Sequence, residues 1–255
     1  MDDNTMKSHI AQTWNAEAGY YDTHVSHGIQ TDEEKKLWMD VFQNVLPEGD
    51  HLSILDVGCG TGAMGLILAE MGHTISGIDL SEGMMSVGRK KAKAAGLSMT
   101  FQNGDAEDPP FSENAFDAVI NRHLLWTLPH PETALASWYR VLKPGGVVMV
   151  IDGVWDDGFP FSAARRRTSA ALARIFEPHP HGEEGYAEEV RDALPNRGGV
   201  PAETSRTYLK AAGFSGISVL SLDNIRKDQR NRLRWYQKIN PISTYYLISG
   251  RKGTE

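Results

Sequence analysis

The sequence predicts an α/β fold in which a doubly wound, mostly parallel sheet of seven strands is covered by helices on both faces. From Leu52 onward, short apolar runs of strand length alternate with stretches of helical periodicity. That alternation is typical of parallel strands joined by right-handed crossovers. The run VVMVI at residues 147–151 is apolar at every position, as expected of a strand that is buried on both faces.

The first fifty residues are predicted to form a helical flap that precedes the sheet. Thr31 followed by Glu34 fits a capping box at the start of a helix. Apolar side chains recur at helical spacing over residues 37–45, and Pro47 then ends the segment. These features predict an amphipathic helix with a defined beginning and end within residues 1–50.

Residues 51–153 carry the pattern that predicts the core of the sheet. Helical stretches or turns separate five predicted strands, and a Lys-Pro-Gly-Gly turn at 143–146 leads into the fifth. In chain order, the predicted strands are HLSILDVG, HTISGIDL, SMTFQNGD, FDAVINRHLL and VVMVIDG. Because ligands of such sheets bind at the carboxyl ends of the strands, the loops after these strands are the first place to look for a site.

The alternation breaks after Gly153. Residues 154–200 contain the Arg-rich helical stretch FSAARRRTSAALARIF and a second short helical segment, so we predict a helical lid inserted after the fifth strand. Residues 201–255 resume with a helix and then two strands, ISVLSLDNI and STYYLISGRK. We expect these strands to pair antiparallel and complete the sheet of a single domain that spans residues 1–255.

Composition narrows the class of protein. The 255 residues carry a formal net charge of −7, so the chain lacks the overall basic charge of a duplex nucleic-acid binder. The single cysteine, Cys59, excludes an intramolecular disulfide and suits a reducing compartment. The sequence shows neither a signal-peptide pattern nor a run of 18 apolar residues. We expect a cytoplasmic protein that neither spans a membrane nor binds nucleic acid.

The sharpest motif is the turn LDVGCGTG at residues 55–62, which follows a predicted strand and opens a helix. Glycines let the backbone turn tightly and let a ligand approach it closely. By itself, a Gly-x-Gly-x-Gly turn fits a dinucleotide site, a methyltransferase loop or a purely structural turn.

Two acidic residues and the glycine spacing discriminate between these alternatives. Asp56 ends the strand just before the glycines, where a carboxylate would repel a pyrophosphate but could accept hydrogen bonds from an ammonium group. The turn also lacks the Gly-x-x-Gly step that seats a pyrophosphate on the helix start. Asp79 ends the next strand, where a carboxylate can hold both hydroxyls of a ribose. These features favour a nucleoside ligand and argue against a nicotinamide-dependent reductase.

Taken in order, the segments LDVGCGTG, GIDLSEGMM, NGDAEDPPF, FDAVINRHLLWTL and RVLKPGG resemble the motifs of the class I S-adenosylmethionine-dependent methyltransferases. The resemblance covers about residues 52–153 and is greatest to the small-molecule branch that includes the ubiquinone/menaquinone-biosynthesis type. It implies a Rossmann-like fold, S-adenosyl-L-methionine as cofactor and S-adenosyl-L-homocysteine as product.

The resemblance also implies cofactor contacts at matching positions. Asp79 would hold the ribose hydroxyls, Leu80 would pack on the adenine, and Asp105 would accept a hydrogen bond from the adenine amino group. The backbone of Ala106 would address the adenine ring, and Tyr21 would close over the cofactor from the flap. The positions implied in the loops around the methionine part are Asp56, Gly58, Cys59, Gly60, Asn121 and Arg122. Cys59 is interpreted there as a small packing residue.

Methyl transfer requires alignment of the acceptor and, for a hydroxyl or amine acceptor, a general base. His123 is the first candidate for that base, because it lies two residues beyond Asn121 at the strand edge that would face the methyl group. The alternatives for His123 are a cap on the following helix and packing under the lid. His27 and His24, in the flap, are further candidates.

Aromatic residues next to the flap and the lid are expected to line a substrate pocket. Tyr20, Trp126 and Trp155 could stack on a flat acceptor, with His24 beside them, although Trp126 could equally be a core residue. The arginine run at 165–167 is interpreted as a solvated helix face.

A metal site is not predicted. His179 and His181 lie close to two glutamates in EPHPHGEE, which is a spacing that zinc could use. An exposed polar loop is the simpler interpretation of this segment.

The sequence therefore predicts an enzyme that transfers a methyl group to oxygen, nitrogen or carbon of a small organic molecule, as a monomer or a homodimer. The alternatives are methylation of RNA or protein and a non-catalytic module that binds S-adenosylmethionine. Asn121-Arg122-His123-Leu124 stands where an Asn-Pro-Pro-Tyr motif would indicate base methylation. A closed pocket under residues 154–200 would favour a small acceptor, and an open basic groove would favour a polymer.

Overall fold

One seven-stranded sheet organises the computed structural model, which describes residues 1–177 and 186–254. Its strands are β1 (Ser53–Val57), β2 (Thr74–Asp79), β3 (Met99–Asn103), β4 (Phe116–Arg122), β5 (Leu142–Val154), β6 (Ser215–Ser221) and β7 (Thr244–Arg251). Their order is β3-β2-β1-β4-β5-β7-β6, and β7 runs antiparallel to both neighbours while the other pairs are parallel. The predicted α/β class and the antiparallel closing pair are confirmed.

Helices cover both faces of this sheet. They are α1 (Asp3–Glu17), α2 (Asp32–Val45), α3 (Ala63–Glu70), α4 (Glu82–Ala95), α5 (Pro131–Val141), α6 (Pro160–Phe176), α7 (Glu188–Ala193), α8 (Ala202–Ala211) and α9 (Asp223–Arg232). Short 3-10 helices lie at Tyr21–Thr23, Leu125–Thr127 and Gln237–Ile239. In the part of the chain that the structure describes, no helix combines the length and the apolar character needed to cross a bilayer.

Alternate residues of each central strand pack into opposite layers of the core. Leu55 of β1 and Val148 of β5 join a fully buried cluster with Trp138 of α5. Ile54 of β1 instead packs in the other layer, with Trp38 of α2. The second half of the predicted flap is therefore a core helix, and α1 is the part of the first fifty residues that remains free to cover a site.

The predicted strand at 217–225 ends earlier than its apolar pattern indicates. β6 stops at Ser221, and α9 begins at Asp223. The sequence pattern does not predict α9, because Ile225 and Gln229 are its buried residues and DNIRKDQRNR shows almost no apolar periodicity. This polar helix packs against α2 and β7, next to the carboxyl end of the sheet.

The turn predicted at 143–146 is built into a strand. β5 begins at Leu142 and continues through Gly145, whose φ of +79° lies in the region that favours glycine. The register of β5 against β4 shifts between Phe116 and Ala118. The glycines therefore produce an irregularity inside β5 and not a separate turn before it.

The lid segment rejoins the sheet through a close backbone contact at the end of β5. Val200 N donates to the carbonyl oxygen of Gly153 at 2.9 Å, and Val154 bridges to Gly199. A Cβ on Gly153 would overlap the carbonyl oxygen of Thr244. The lid is thus tied to the strand whose end faces the site.

Candidate functional site

The glycine turn connects β1 to α3 and forms the floor of a cavity. Gly58 and Gly60 have φ values of +64° and +52°, which other residues adopt only with strain. A Cβ on Gly58 would also press on the side chain of Leu124, 2.7 Å away. Both glycines are needed for the backbone path that leaves this floor open to a ligand.

Asp79, at the end of β2, is fixed by two backbone amides. Its Oδ2 accepts from Gly60 N at 2.8 Å, and its Oδ1 accepts from Ser81 N at 2.8 Å. Burial raises the pKa of the Asp79 carboxyl, and the amide hydrogen bonds oppose that rise. The carboxylate is thereby held in one orientation at the edge of the same cavity.

The first cavity lies between the strand ends and α1, and we call it the nucleoside cavity. The predicted cofactor contacts that line it are Tyr21, Gly58, Gly60, Asp79, Leu80, Asp105 and Ala106. Its volume is about 80 Å³, well below the several hundred Å³ typical of ligand pockets. The cavity is small because α1 packs into it.

Side chains on α1 hold it in this closed position. Lys7 Nζ lies 2.7 Å from Asp105 Oδ2 and 2.5 Å from Glu107 Oε2. Near the other end of α1, Asn15 Oδ1 accepts from Gly83 N at 2.7 Å and lies 2.8 Å from Ser81 Oγ. Within the predicted flap, α1 is therefore the helix that covers this cavity, and it contacts the loops after β2 and β3.

Three predicted cofactor contacts lie beneath the nucleoside cavity, and their side chains do not line it. Asp56 Oδ2 accepts from Gly65 N at 3.0 Å, and burial raises the pKa of this carboxyl to about 7 against that hydrogen bond. Cys59 is buried where a Cβ on Gly77 would meet its sulfur. Asn121 is fully buried, and its amide donates weakly to Met149 O at 3.5 Å.

The carboxylate of Asp56, which the sequence suggests as an acceptor for an ammonium group, is therefore not among the side chains that line the cavity. Strand side chains alternate between the two faces of the sheet, so the side chains of Asp56 and Asn121 enter the helical layers. The cavity edge at β1 is made by glycine backbone. A cofactor could meet these residues through the backbone alone.

A second, larger cavity of about 580 Å³ lies on the other side of Tyr21, and we call it the acceptor cavity. The predicted pocket residues that line it are His24, His27, His123, Trp126 and Trp155. Helices α6 and α9 supply another wall, through residues such as Ser169 and Arg226. The predicted lid therefore contributes directly to this cavity.

Tyr20 was expected to line the substrate pocket, but it lines neither of these two cavities. Its side chain is 42% exposed, whereas the adjacent Tyr21 points inward and stacks on His27 with 4.3 Å between ring centroids. Neighbouring residues at a helix end point in different directions, so only one tyrosine of the pair can face the cavities.

Trp14, Tyr21 and His123 line both cavities and form the wall between them, which we call the shared wall. Trp14 Nε1 donates to Tyr186 Oη at 2.8 Å, which links α1 to the segment just before α7. The sequence analysis does not identify Trp14 or Tyr186 as site residues. The helical pattern of α1 indicates no buried face at Trp14, and Tyr186 follows the lid helix without a motif.

His123 is placed by an unusual backbone conformation. Its φ is +56°, and its backbone N donates to Ile151 O at 2.9 Å. The imidazole stacks on Tyr245 with 5.3 Å between ring centroids, and its Nε2 lies 3.4 Å from Tyr245 Oη. Tyr245 is on β7, 122 residues away, and an apolar strand pattern gives no signal that it supports a site residue.

Arg122 is a buried cation at the edge of the nucleoside cavity. Its Nη2 donates to the carbonyl oxygen of His27, and its guanidinium lies 5.9 Å from the ring centroid of Trp38. Nη1 has no hydrogen-bond partner among the residues that the structure describes. A buried guanidinium with a free donor can bind an anionic group of a ligand.

Two polar segments of the sequence remain, the histidine-rich loop and the arginine run. His179 and His181 lie outside the described residues, and within residues 1–177 and 186–254 no three metal-ligating side chains form a group that could hold an ion. The arginine run at 165–167 is only partly a solvated face, because Arg166 lines the acceptor cavity and pairs with Asp156 at 2.5 Å.

Comparison with known protein families supports the motif analysis. The family described as "Methyltransferase domain" matches residues 55–150. A demethylmenaquinone methyltransferase of Clavibacter sepedonicus is 32% identical over 171 residues, or 64% of this chain and 66% of that protein. The enzyme of the same name from Symbiobacterium thermophilum is 42% identical over 112 residues, or 42% of this chain and 43% of that protein. This chain therefore spans less than two thirds of the curated relatives that it matches.

Solved structures share the fold over more of the chain. A structure described for the conversion of a disulfide bond into a thioacetal group in echinomycin biosynthesis has a TM-score of 0.57 at 25% identity, with 86% of this chain and 82% of that chain covered. The [4+2]-cyclase SpnF has a TM-score of 0.65 at 20% identity, with 96% of both chains covered. A Haemonchus contortus phosphoethanolamine N-methyltransferase has a TM-score of 0.61 at 18% identity, with 86% of this chain and 52% of that chain covered. At 20% identity or less, the likeness establishes the fold alone.

Proposed function

We propose that this chain is a class I S-adenosylmethionine-dependent methyltransferase and that it transfers the methyl group of S-adenosylmethionine to a small organic acceptor. The observation that carries the proposal is the shared wall of Trp14, Tyr21 and His123, which separates a nucleoside cavity from an acceptor cavity. Two adjacent compartments with one common boundary are what a direct transfer between two bound molecules requires.

In this proposal, the nucleoside cavity holds the cofactor. Asp79 would accept from the ribose hydroxyls, because its carboxylate is already oriented by two amides. Arg122 would pair with the cofactor carboxylate through the guanidinium nitrogen that lacks a partner within the described residues. Asp105 would accept from the adenine amino group after releasing Lys7, so cofactor entry requires α1 to move outward.

The cofactor supplies a methyl group that is already activated by its sulfonium centre. The protein's part is to orient the acceptor and to manage a proton. His123 lies on the shared wall, where it would take the proton of a hydroxyl or amine acceptor as the new bond to the methyl carbon forms. Tyr245 would hold the imidazole in place by stacking on it.

His27 is placed less favourably for proton transfer. It lines the acceptor cavity, but its ring is stacked on Tyr21 and its carbonyl oxygen is bound by Arg122. Both contacts fix the residue as part of the cavity wall. We therefore assign His27 to shaping the acceptor cavity and keep His123 as the proposed base.

The size of the acceptor cavity and the lid helix in its wall favour a small acceptor over RNA or protein. Its volume of about 580 Å³ suits a drug-sized molecule, and α6 of the lid forms part of its wall. The curated relatives act, by name, on demethylmenaquinone, so planar quinone-like compounds are the first acceptors to screen.

The direct test is calorimetric titration with S-adenosylmethionine and S-adenosylhomocysteine, followed by a screen for methylated product. We expect both ligands to bind and methylated product to appear with at least one planar acceptor. Failure of both to bind at millimolar concentration would exclude the proposal. Binding without turnover of any acceptor would instead support a regulatory module with the same fold.

A further inference from the structure

The wall formed by α9 brings Arg226 into the acceptor cavity with no acidic partner among the described residues. Arg226 lines the cavity, and its guanidinium lies over the ring of Tyr245, 4.4 Å from the centroid. Tyr245 in turn stacks on His123. The cation is therefore held, through one aromatic ring, on the side of the cavity that contains the proposed base.

The hydrogen bonds of Arg226 leave its charge uncompensated. Nη1 donates to the neutral amide oxygen of Gln229 at 3.1 Å, and Nε is buried without a partner in the described residues. The structure shows no carboxylate within 4 Å of this guanidinium in residues 1–177 and 186–254. A partly desolvated arginine without a counter-charge is costly, and structures retain such groups where something binds them.

An acidic residue of the neighbouring helix α2, Glu34, already has its own partners. Glu34 is fully buried and pairs with Arg232 at 2.7 Å. Its other oxygen accepts from Gln229 Nε2 at 2.8 Å. Gln229 therefore stands between Glu34 and Arg226, so that the negative charge of Glu34 is balanced by Arg232 and not by Arg226.

The other charged residues of this wall are engaged elsewhere. Arg166 pairs with Asp156, and Arg230 donates to the carbonyl oxygen of Lys238 at 2.9 Å. Glu177 accepts from Gln237 Nε2 at 2.8 Å, and its charge acts on His24. Glu17, on α1, also borders the cavity.

Aromatic rings form another part of the cavity wall. Trp126 lies edge-on to Trp155, with 5.3 Å between ring centroids, and Tyr186 is 5.5 Å from Trp126. Such a wall favours flat, conjugated molecules, which bury large apolar faces against it. The cavity thus combines an aromatic wall with Arg226, a cation that has no carboxylate within 4 Å among the described residues.

We propose that Arg226 binds an anionic group of the methyl acceptor, so that the substrate class is a planar aromatic acid. A carboxylate would form a forked pair with the guanidinium, while the ring of the acid lies against the tryptophans and presents its nucleophilic atom toward the shared wall. The proposal rests on the assignment of the larger cavity to the acceptor.

The test uses 2-naphthoate as the probe and 2-naphthamide as its neutral counterpart, each titrated into the full-length protein by calorimetry. We expect the wild-type protein to bind the acid roughly tenfold to a hundredfold more tightly than the amide, because a hydrogen-bonded charge pair contributes about 1.5–3 kcal/mol. Arg226→Gln should abolish that preference. Lys227→Gln is the control, because Lys227 is the next residue on the exposed side of α9 and its loss removes the same charge. This variant should keep the preference for the acid.

The outcomes separate this proposal from the proposed function. Equal binding of the two probes to the wild type, binding of neither, or a preserved preference in Arg226→Gln would overturn the anion site. S-adenosylhomocysteine titrated into each variant reports folding and the nucleoside cavity separately. If Arg226→Gln fails to bind S-adenosylhomocysteine, Arg226→Lys serves as the second variant. Arg226→Lys must weaken the preference for the acid without removing that preference.

Discussion

Lys7 Nζ lies 2.7 Å from Asp105 Oδ2, so a residue of the first helix occupies the carboxylate that the motif pattern assigns to adenine. The lysine also contacts Glu107 Oε2. In the proposed assignment of Asp105 to adenine, the closed position of α1 would compete with the cofactor for the same acceptor atom. Movement of α1 would then be part of cofactor binding.

Lys7→Met should speed the binding of S-adenosylhomocysteine. A partly exposed ion pair contributes up to about 1 kcal/mol, and its loss should raise the association rate roughly fivefold. Stopped-flow tryptophan fluorescence can follow the reaction, because Trp14 lies on the moving helix. Lys36→Met changes an exposed lysine on α2 and should leave the rate unchanged. Equal rates in all three proteins would show that α1 does not limit entry.

Asp79→Asn should weaken the binding of S-adenosylhomocysteine by roughly tenfold to a hundredfold, because a charged acceptor for the ribose hydroxyls becomes neutral. The amide can keep one of the two backbone hydrogen bonds, so the loop should stay folded. Isothermal titration calorimetry measures the effect, and Asp50→Asn at an exposed position is the matched control. An unchanged dissociation constant for Asp79→Asn would contradict the assignment of this carboxylate to the ribose.

His123→Asn should lower kcat by roughly 10²–10⁴-fold if the imidazole takes the acceptor proton. Asparagine tolerates the φ of +56°, so the backbone should be preserved. The effect should fall mainly on kcat, and the dependence of kcat on pH that a general base produces should disappear. His24→Asn, on the same acceptor cavity, should keep that dependence. A small decrease in kcat with an intact pH profile would assign His123 to alignment only.

Asp152 should make the folded state less stable as the pH rises. Burial raises the pKa of its carboxyl to about 8, opposed by hydrogen bonds from Gly153 and Val200. The unfolded chain has a pKa of about 3.9 at this residue. The folded chain therefore binds more protons between these values, and stability falls with pH by up to about 1.4 kcal/mol per unit.

Asp152→Asn removes this titration, so urea unfolding at pH 5 and pH 8 should show a smaller loss of stability in the variant. We expect the variant to gain at least about 1 kcal/mol relative to the wild type between the two pH values. The exposed substitution Asp40→Asn should follow the wild type. Parallel pH profiles for Asp152→Asn and the wild type would mean that Asp152 is ionised in the folded protein.

The fold could be predicted from local patterns because its elements are regular. The helix start predicted at Thr31 is present, with the Thr31 side chain accepting from Glu34 N, although the Glu34 carboxylate accepts from Gln30 N and not from Thr31 N. The alternation after Leu52 predicts the parallel strands, and the apolar run of β5 predicts a strand buried on both faces. By contrast, α9 is too polar to be distinguished from a loop by periodicity alone.

Residues of the candidate site can be predicted from the sequence where a motif determines the backbone. They cannot be predicted where packing brings together residues that are distant in the sequence. Asp79 and the glycines follow from their place at strand ends. Arg226 reaches the acceptor cavity, and Tyr245 supports His123 next to it, through packing that no single sequence displays. The side chains of Asp56 and Asn121 lie below the cavity, because the motif identifies a position but not the face of the sheet on which its side chain falls.

The shared wall of Trp14, Tyr21 and His123 has a consequence for inhibitor chemistry. Because these three residues touch both compartments, one molecule could cross between them where the methyl group would pass. An adenosine joined through a short tether to a planar acid would place its two halves in neighbouring compartments. The second half would then bind at a high effective concentration, and the affinity of the joined molecule could exceed that of either half by roughly 10²–10⁴-fold.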